Sequence, residues 1–525
     1  MNIPYPYNRI GAGGDVAEGG AVLGERGVFT WLRDGKLYQK AVELDGVFLN
    51  SAKVRSMAVL SDGIARHTTV HAGGTQTVSG GGLAEGVVVN SGGRAYISSG
   101  GSAEDVSVNM YAYVTAYSGA SVSGCEINSS GMACVAGGAE GAGVTVSAYG
   151  SLYCESGARL NGCVLSSNGR LSAGSGADIA HLTVCPGAGF SCIQGMSAAN
   201  ISVMSGGYLY ANSGAKCLDA VLAQGGHVVP YVMGHDEETV LTGSGPGGEF
   251  SVSNGTAAGF VLDGGASFPL YYYGSATRTT LSSGGSMFVS FGAVAAGNTV
   301  CPNGRVFVYS GGTARDTEIQ PGGSVFADFR GTCLDTVVSS GAQIFASNYG
   351  ECSRTDIRQG AYAYASFGGR IVSATVAGNI IASSNAVLSA LDIQSDGYVS
   401  ARRGCTAVAI NVSSGGRIWL NDYTDGGDIS IESGGSAWLL NMGTYSGLYL
   451  GAGAFCSASA YITFSDVSVG EGAKLYLSTY TTAMEVSVAS GGTLWLGSGG
   501  SALDVTSAEG AVISVNNGGH VEYAE

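Results

Sequence analysis

Nine acidic side chains recur at one register of this sequence. Asp105, Asp219, Glu238, Asp316, Asp335, Asp428, Asp466, Glu485 and Asp504 each close a unit of about 19 residues. Convergent carboxylates on neighbouring strands are what a glycoside hydrolase or lyase needs, as an acid and base pair or with a metal. Here the residue falls at a corner, where Asp caps a turn by bonding the backbone two residues on. Stacked like charges at about 4.8 Å repel, so a weakly held divalent cation over Asp466, Glu485 and Asp504 is the one metal candidate. The GGxGxDxUx calcium signature is absent. The six His are scattered, only His227 and His235 share a coil, and neither HExxH nor a triad-like grouping occurs. The string GSGPGG at 243–248 lacks the following Lys-Ser/Thr of a phosphate loop. One cluster, His235, Asp236 and Glu237 with the aromatic run Tyr271, Tyr272 and Tyr273, is a candidate glycan site. An insertion that bends the chain accounts for the same residues more simply. No catalytic residue is assigned and no cofactor is expected.

The elements that must position these groups follow from a repeat. From Thr68 the sequence folds onto a 19-residue period, as in TTVHAGGTQTVSGGGLAEG followed by VVVNSGGRAYISSGGSAED. The register runs for 24 units, with a 21-residue unit at Thr239 and a 17-residue unit at Ala374. The third position is Val, Ile or Leu in 23 of the 24 units, and only Ser507 breaks the column. Apolar residues at positions 9 and 11 (Ala95/Ile97, Val306/Val308, Leu494/Leu496) alternate with polar ones, which is the strand signature. Ser-Gly-Gly at positions 5–7 and 13–15 marks corners that need positive φ. Three short strands and three corners per unit predict an all-β, right-handed parallel β-helix of about 24 coils. Irregular coils are expected at 220–278 and 374–390. Residues 1–67 hold eight of the 23 Lys and Arg, and FTWLRDGKLYQK reads as a hairpin turning at Asp34-Gly35. This region is expected to cap the open end of a solenoid spanning 68–525.

Composition supports architecture over catalysis. Gly fills 89 of 525 positions while charged residues make up only 12 %, half the usual share. A net charge of −16 opposes a nucleic-acid or anionic-membrane surface, and no apolar run approaches the ~20 residues of a membrane span. Twelve Cys lie at irregular spacings. Cys333 and Cys352 share position 17 of successive coils, and Cys125 and Cys163 share position 1 two coils apart. Parallel Cβ vectors rarely give disulfide geometry, so free thiols are expected throughout.

Position 10 lies between the inward positions 9 and 11 and should face outward. It reads Phe288, Phe307, Phe326, Phe345 and Tyr364 on five consecutive coils, then Trp419, Trp438, Tyr476 and Trp495 further on. Stacking at about 4.8 Å would stabilise the sheet. A contiguous apolar stripe in water also marks an interaction site. The expected partners are therefore a second copy of the chain or surface glycans.

The units VVVNSGGRAYISSGGSAED (87–105), NTVCPNGRVFVYSGGTARD (298–316) and VSVASGGTLWLGSGGSALD (486–504) resemble the AIDA-type repeat of bacterial autotransporter adhesin passengers. The resemblance covers about seven-eighths of the chain. It implies a non-enzymatic, cell-surface or extracellular β-helix used in adhesion or self-association. It also implies O-glycosylation by a protein glycosyltransferase on repeat serines such as Ser91, Ser98, Ser310 and Ser490. The N-terminus reads without the basic and apolar regions of a secretory signal, and the repeat continues to Glu525 without a barrel-like pattern. Either a passenger segment or another export route is expected. The rival classes are a β-helical polysaccharide lyase or tailspike-like depolymerase, and a structural spacer or filament protein.

Overall fold

The structure is a computed structural model that describes residues 9–10, 16–24, 28–33, 36–41, 44–50, 55–212, 214–231, 240–246, 249–250, 252–253, 256–516 and 518–525. All regular structure among them is β-strand. The strands stack as a parallel β-helix of about 23 turns with a period near 19 residues. The chain divides into two compact units, Met1–Phe260 and Val261–Glu525.

One coil shows how the repeat makes the fold. Arg94–Ile97, Ser102–Glu104 and Ser107–Val108 are its three strands. Each pairs in parallel with the residue 19 further on, as Ala95 with Val114, Ala103 with Val122 and Val108 with Ile127. The alternation then places like residues in inward columns. Position 3 is buried from Val70 to Val488, and positions 9 and 11 are buried at Val306/Val308 and Leu494/Leu496. The corners turn on one left-handed residue each: Gly92 (φ 73°), Gly100 (φ 74°) and Asp105 (φ 52°). The Gly after the first of these is required for another reason. A Cβ on Gly93 would lie 2.4 Å from the carbonyl oxygen of Val70 in the coil below.

The position-19 corner explains the acidic column. It is left-handed at Asp105, Asp219, Asp316, Asp335, Asp428, Asp466, Glu485 and Asp504, and equally at Gly86, Asn200 and Gly447. Gly, Asn and Asp are the residues that enter this region at least cost. The backbone N–H of Asp105 donates to the carbonyl of Ser123 (3.0 Å) and that of Asp335 to Ser353 (3.1 Å). Backbone conformation therefore selects these acids, rather than the side-chain turn cap that the spacing suggests.

In the first unit the parallel register begins upstream of Thr68. Phe48–Leu49 pairs with Thr69–Val70, Ser56–Val59 with Thr75–Val78, and Ile64–Arg66 with Leu83–Glu85. Leu49 stands 21 residues before its partner Val70 (70 − 49), so a 19-residue period hides this coil. Val28–Arg33 and Lys36–Ala41 pair antiparallel, and the turn residues Asp34 and Gly35 lie outside the described residues. Ala21–Leu23 pairs in parallel with Met57–Val59, so the antiparallel strands extend that sheet beyond its first coil and Lys36–Ala41 ends it.

The second unit has a polar inner column. Position 1, apolar on most other coils, reads Thr279, Asn298, Thr317, Thr336 and Thr355 on consecutive coils, all buried. Thr317 and Thr336 donate to the carbonyls of Arg315 (3.4 Å) and Leu334 (3.3 Å). The side-chain amide of Asn298 has no protein hydrogen-bond partner.

Candidate functional site

The position-10 residues of the second unit form a stacked aromatic ladder. Phe288, Phe307, Phe326, Phe345 and Tyr364 are register partners on successive strands. Their ring centroids are 5.1, 4.8, 4.6 and 4.9 Å apart, with interplanar angles of 8–12°. Each ring projects outward between buried neighbours such as Val306 and Val308. Each is half-buried because it covers the next ring. Pairs of this kind contribute about 0.5–1.5 kcal/mol beyond the area they bury.

Further along, Ile381 and Ser400 occupy the same row, and the aromatics resume at Trp419 and Trp438, 5.8 Å apart. Ser457 then interrupts the row. Phe455, two residues earlier on the same strand, lies 5.8 Å from Trp438 and 5.6 Å from Tyr476 and bridges the break. Tyr476 and Trp495 complete the run at 5.6 Å. Phe455 escapes a reading by columns because it belongs to position 8. The signal that could have found it is an aromatic beside the one small residue in an aromatic row.

A second aromatic feature flanks the ladder. At the corner of positions 13–14, Tyr272, Phe291, Phe329, Tyr349, Phe367 and Tyr480 all have left-handed backbones, with φ of 44–64°. All are more than half exposed. A bulky side chain rarely adopts this conformation, and exposing it adds a second cost. Part of the reason is local packing. A Cβ on Gly368 would lie 2.8 Å from the ring of Tyr349, and one on Gly292 equally close to that of Tyr273. The rings therefore lie over glycine backbone of the next coil. Tyr272 stacks on Phe291 at 5.6 Å. Tyr309 joins the corner to the ladder, 6.1 Å from Phe307 and 6.5 Å from Phe329. The structure thus places Tyr271, Tyr272 and Tyr273 at the start of an aromatic edge. His235, Asp236 and Glu237, their expected companions in a glycan site, lie outside the described residues.

The remaining candidates are dispersed. Among the described residues, no group of three or more His, Cys, Asp or Glu could hold a metal ion, so Asp466, Glu485 and Asp504 do not converge on one. Every described position-19 acid of the column is exposed. Ser91, Ser310 and Ser490 are exposed at corners, whereas Ser98 is half-buried at a strand end. All twelve Cys are free thiols, and Cys333 and Cys352 face each other in register without being bonded.

A parallel β-helix of stacked short coils with an outward aromatic row defines a repeat protein built as a scaffold. Comparison with known families gives its type. Residues 242–304 match the family described as "adhesin of bacterial autotransporter system, probable stalk". No match was found among curated proteins. Among solved structures, the chain is similar to a TibC-catalysed hyper-glycosylated TibA fragment, at 20 % identity over 91 % of this chain and 99 % of that one, with a TM-score of 0.21. It is also similar to an arginine-to-alanine mutant of the PL6-family alginate lyase AlyGC, at 8 % identity over 91 % and 100 % of the two chains, with a TM-score of 0.16. Scores of this size assign no activity.

Proposed function

We propose that this chain is the stalk of a non-enzymatic bacterial adhesin displayed at the cell surface or released outside it. Its aromatic ladder and corner edge make the adhesive contacts, with further copies of the chain or with surface glycans. The observation that carries the reading is the unbroken outward stack from Phe288 to Tyr364. Stacking explains why the rings are ordered. It does not remove the cost of the aromatic face left in water, which is the mark of an interaction surface. The AIDA-type repeat supports surface display. As the resemblance to AIDA-type repeats implies, the exposed corner serines Ser91, Ser310 and Ser490 are the O-glycosylation sites, with a glycosyltransferase as the partner. A polysaccharide-cleaving role finds no support in the acids at position 19, which are exposed on a convex corner without a sheltered acid or base.

The test is the combined variant Phe307→Thr, Phe326→Thr and Phe345→Thr. Thr retains strand propensity while removing the rings, so the variant should keep its β-sheet circular dichroism. It should lose self-aggregation or adhesion to glycan-coated surfaces. A folded variant that aggregates and adheres like the parent would make the ladder purely structural. Intact-mass measurement on natively produced protein tests the glycans, which should add mass above that of the polypeptide.

A further inference from the structure

The first unit carries a groove at the repeat positions that form the ladder in the second. On successive coils position 10 reads Tyr96, Thr115, Cys134, Tyr153 and Ser172, so two small side chains break the aromatic row. The gap is a cavity of about 500 Å³, within the usual size of a small-ligand site. Tyr113 and Tyr153 wall it, 44 % and 45 % exposed. Their strands are two coils apart, about 9.6 Å along the axis. Met132 and Cys134 of the coil between them form part of the floor.

The polar atoms of the lining have one character. Thr115 and Ser172 offer hydroxyls and Glu155 a carboxylate. The carboxylate accepts a long hydrogen bond from the Cys134 thiol, 3.8 Å, which leaves most of its lone pairs for a ligand. No Lys, Arg or His is among the twelve lining residues. An anion would meet Glu155 with nothing to offset the repulsion. A permanent cation would use the rings and Glu155 but leave the two hydroxyls idle. A neutral polyol with an apolar ring face uses every group: C–H faces against the tyrosines, hydroxyl donors to Glu155, and exchange with Thr115 and Ser172.

We infer that this groove is a binding site for a neutral saccharide, with Tyr113 and Tyr153 as platforms and Glu155 as the hydroxyl acceptor. The site lies within the first unit and does not rest on the aromatic surface of the second. The probes are neutral tetrasaccharides of glucose, galactose and N-acetylglucosamine at millimolar concentration, with tetramethylammonium as the cationic control, followed by saturation-transfer NMR on the full chain. At least one tetrasaccharide should bind. Tyr153→Ala and Glu155→Gln should each weaken it by about tenfold or more. The triple ladder variant should bind as the parent does, which separates this site from the proposed adhesive surface. Both groove positions are exposed, so the variants should fold, with circular dichroism as the check. The inference is overturned if no saccharide binds, if binding survives both substitutions, or if tetramethylammonium binds at Tyr153 in place of sugar.

Discussion

Asp335 and Arg354 show how a column of like charges is tolerated. Both occupy position 19 of adjacent coils, where a second acid would repel the first. Arg354 instead donates from Nε and from a terminal nitrogen to the two carboxylate oxygens at 2.6 and 2.7 Å. That hydrogen bond, with the cation's field, holds the Asp335 carboxyl below its ordinary value. A lowered folded-state value means that any stabilisation is present above the ordinary carboxylate range and is lost as pH falls through the lowered one. Because the pair is exposed, its worth is small at neutral pH. Arg354→Met should therefore move the Asp335 titration, followed by carboxyl NMR, back up to the ordinary range while leaving the melting temperature almost unchanged. A large loss of stability would show that the pair holds the corner itself. Arg370 likewise donates from Nε to the Glu351 carboxylate of the preceding coil at 3.1 Å, and Asn109 links Asn90 and Asn128 at 2.8 and 2.9 Å.

At the scale of the coil, the buried position-1 column of the second unit leaves the Thr279 and Thr355 hydroxyls and the Asn298 amide without a protein partner, and Asn298 leaves the most. It lies between Thr279 and Thr317 in the buried position-1 column, with both amide atoms lacking a protein partner. A buried polar group left unmatched costs about 1–3 kcal/mol. Asn298→Val, the residue type at Val486 in the same column, should stabilise the protein by that order, read as a higher urea midpoint at unchanged slope. No gain would mean that ordered water satisfies the amide. Gly93→Ala should do the opposite, since its methyl meets the Val70 carbonyl. The inward columns at positions 3, 9 and 11 were legible because a strand alternates with period 2 and a solenoid repeats that phase each coil. The outward ladder was legible for the same reason, as the residues between two buried ones. Periodicity did not reveal what depends on backbone conformation or on a shifted phase. Examples are the left-handed aromatic corner at Tyr349, Phe455 at the neighbouring position, and the 21-residue step before Val70. Nor could column statistics show that Thr115 and Cys134 open a groove, because small outward residues look like ordinary surface.

Across the whole molecule, both units bury ionisable groups in their neutral forms, and this sets its response to base. Cys125, Cys154 and Cys163 in the first unit have thiols pushed by burial from 9.0 up to about 12. In the second unit burial raises Cys456, and the Cys333–Cys352 hydrogen bond together with burial raises Cys352. The hydroxyl of Tyr445, buried against Phe464 at 5.6 Å, is raised by burial as well. A raised folded-state value means that the stabilisation is complete below the unfolded thiol value near 9 and is lost as pH climbs towards 12. The urea midpoint should accordingly be flat up to about pH 9 and fall steeply above it. Combined Cys125→Ala, Cys154→Ala and Cys163→Ala substitution should flatten that fall in the first unit, at some cost in packing. The same burial governs reactivity, since only a thiolate attacks a disulfide reagent. Of the twelve thiols, only Cys134, Cys185 and Cys301 are partly exposed. Burial and a neighbouring acid hold the first and last of these above their ordinary value. Titration with a thiol reagent at pH 8 should therefore modify no more than three thiols while the protein is folded, then all twelve after denaturation. Rapid reaction of many thiols in the native protein would mean that the coils open far more readily than a continuous buried core allows.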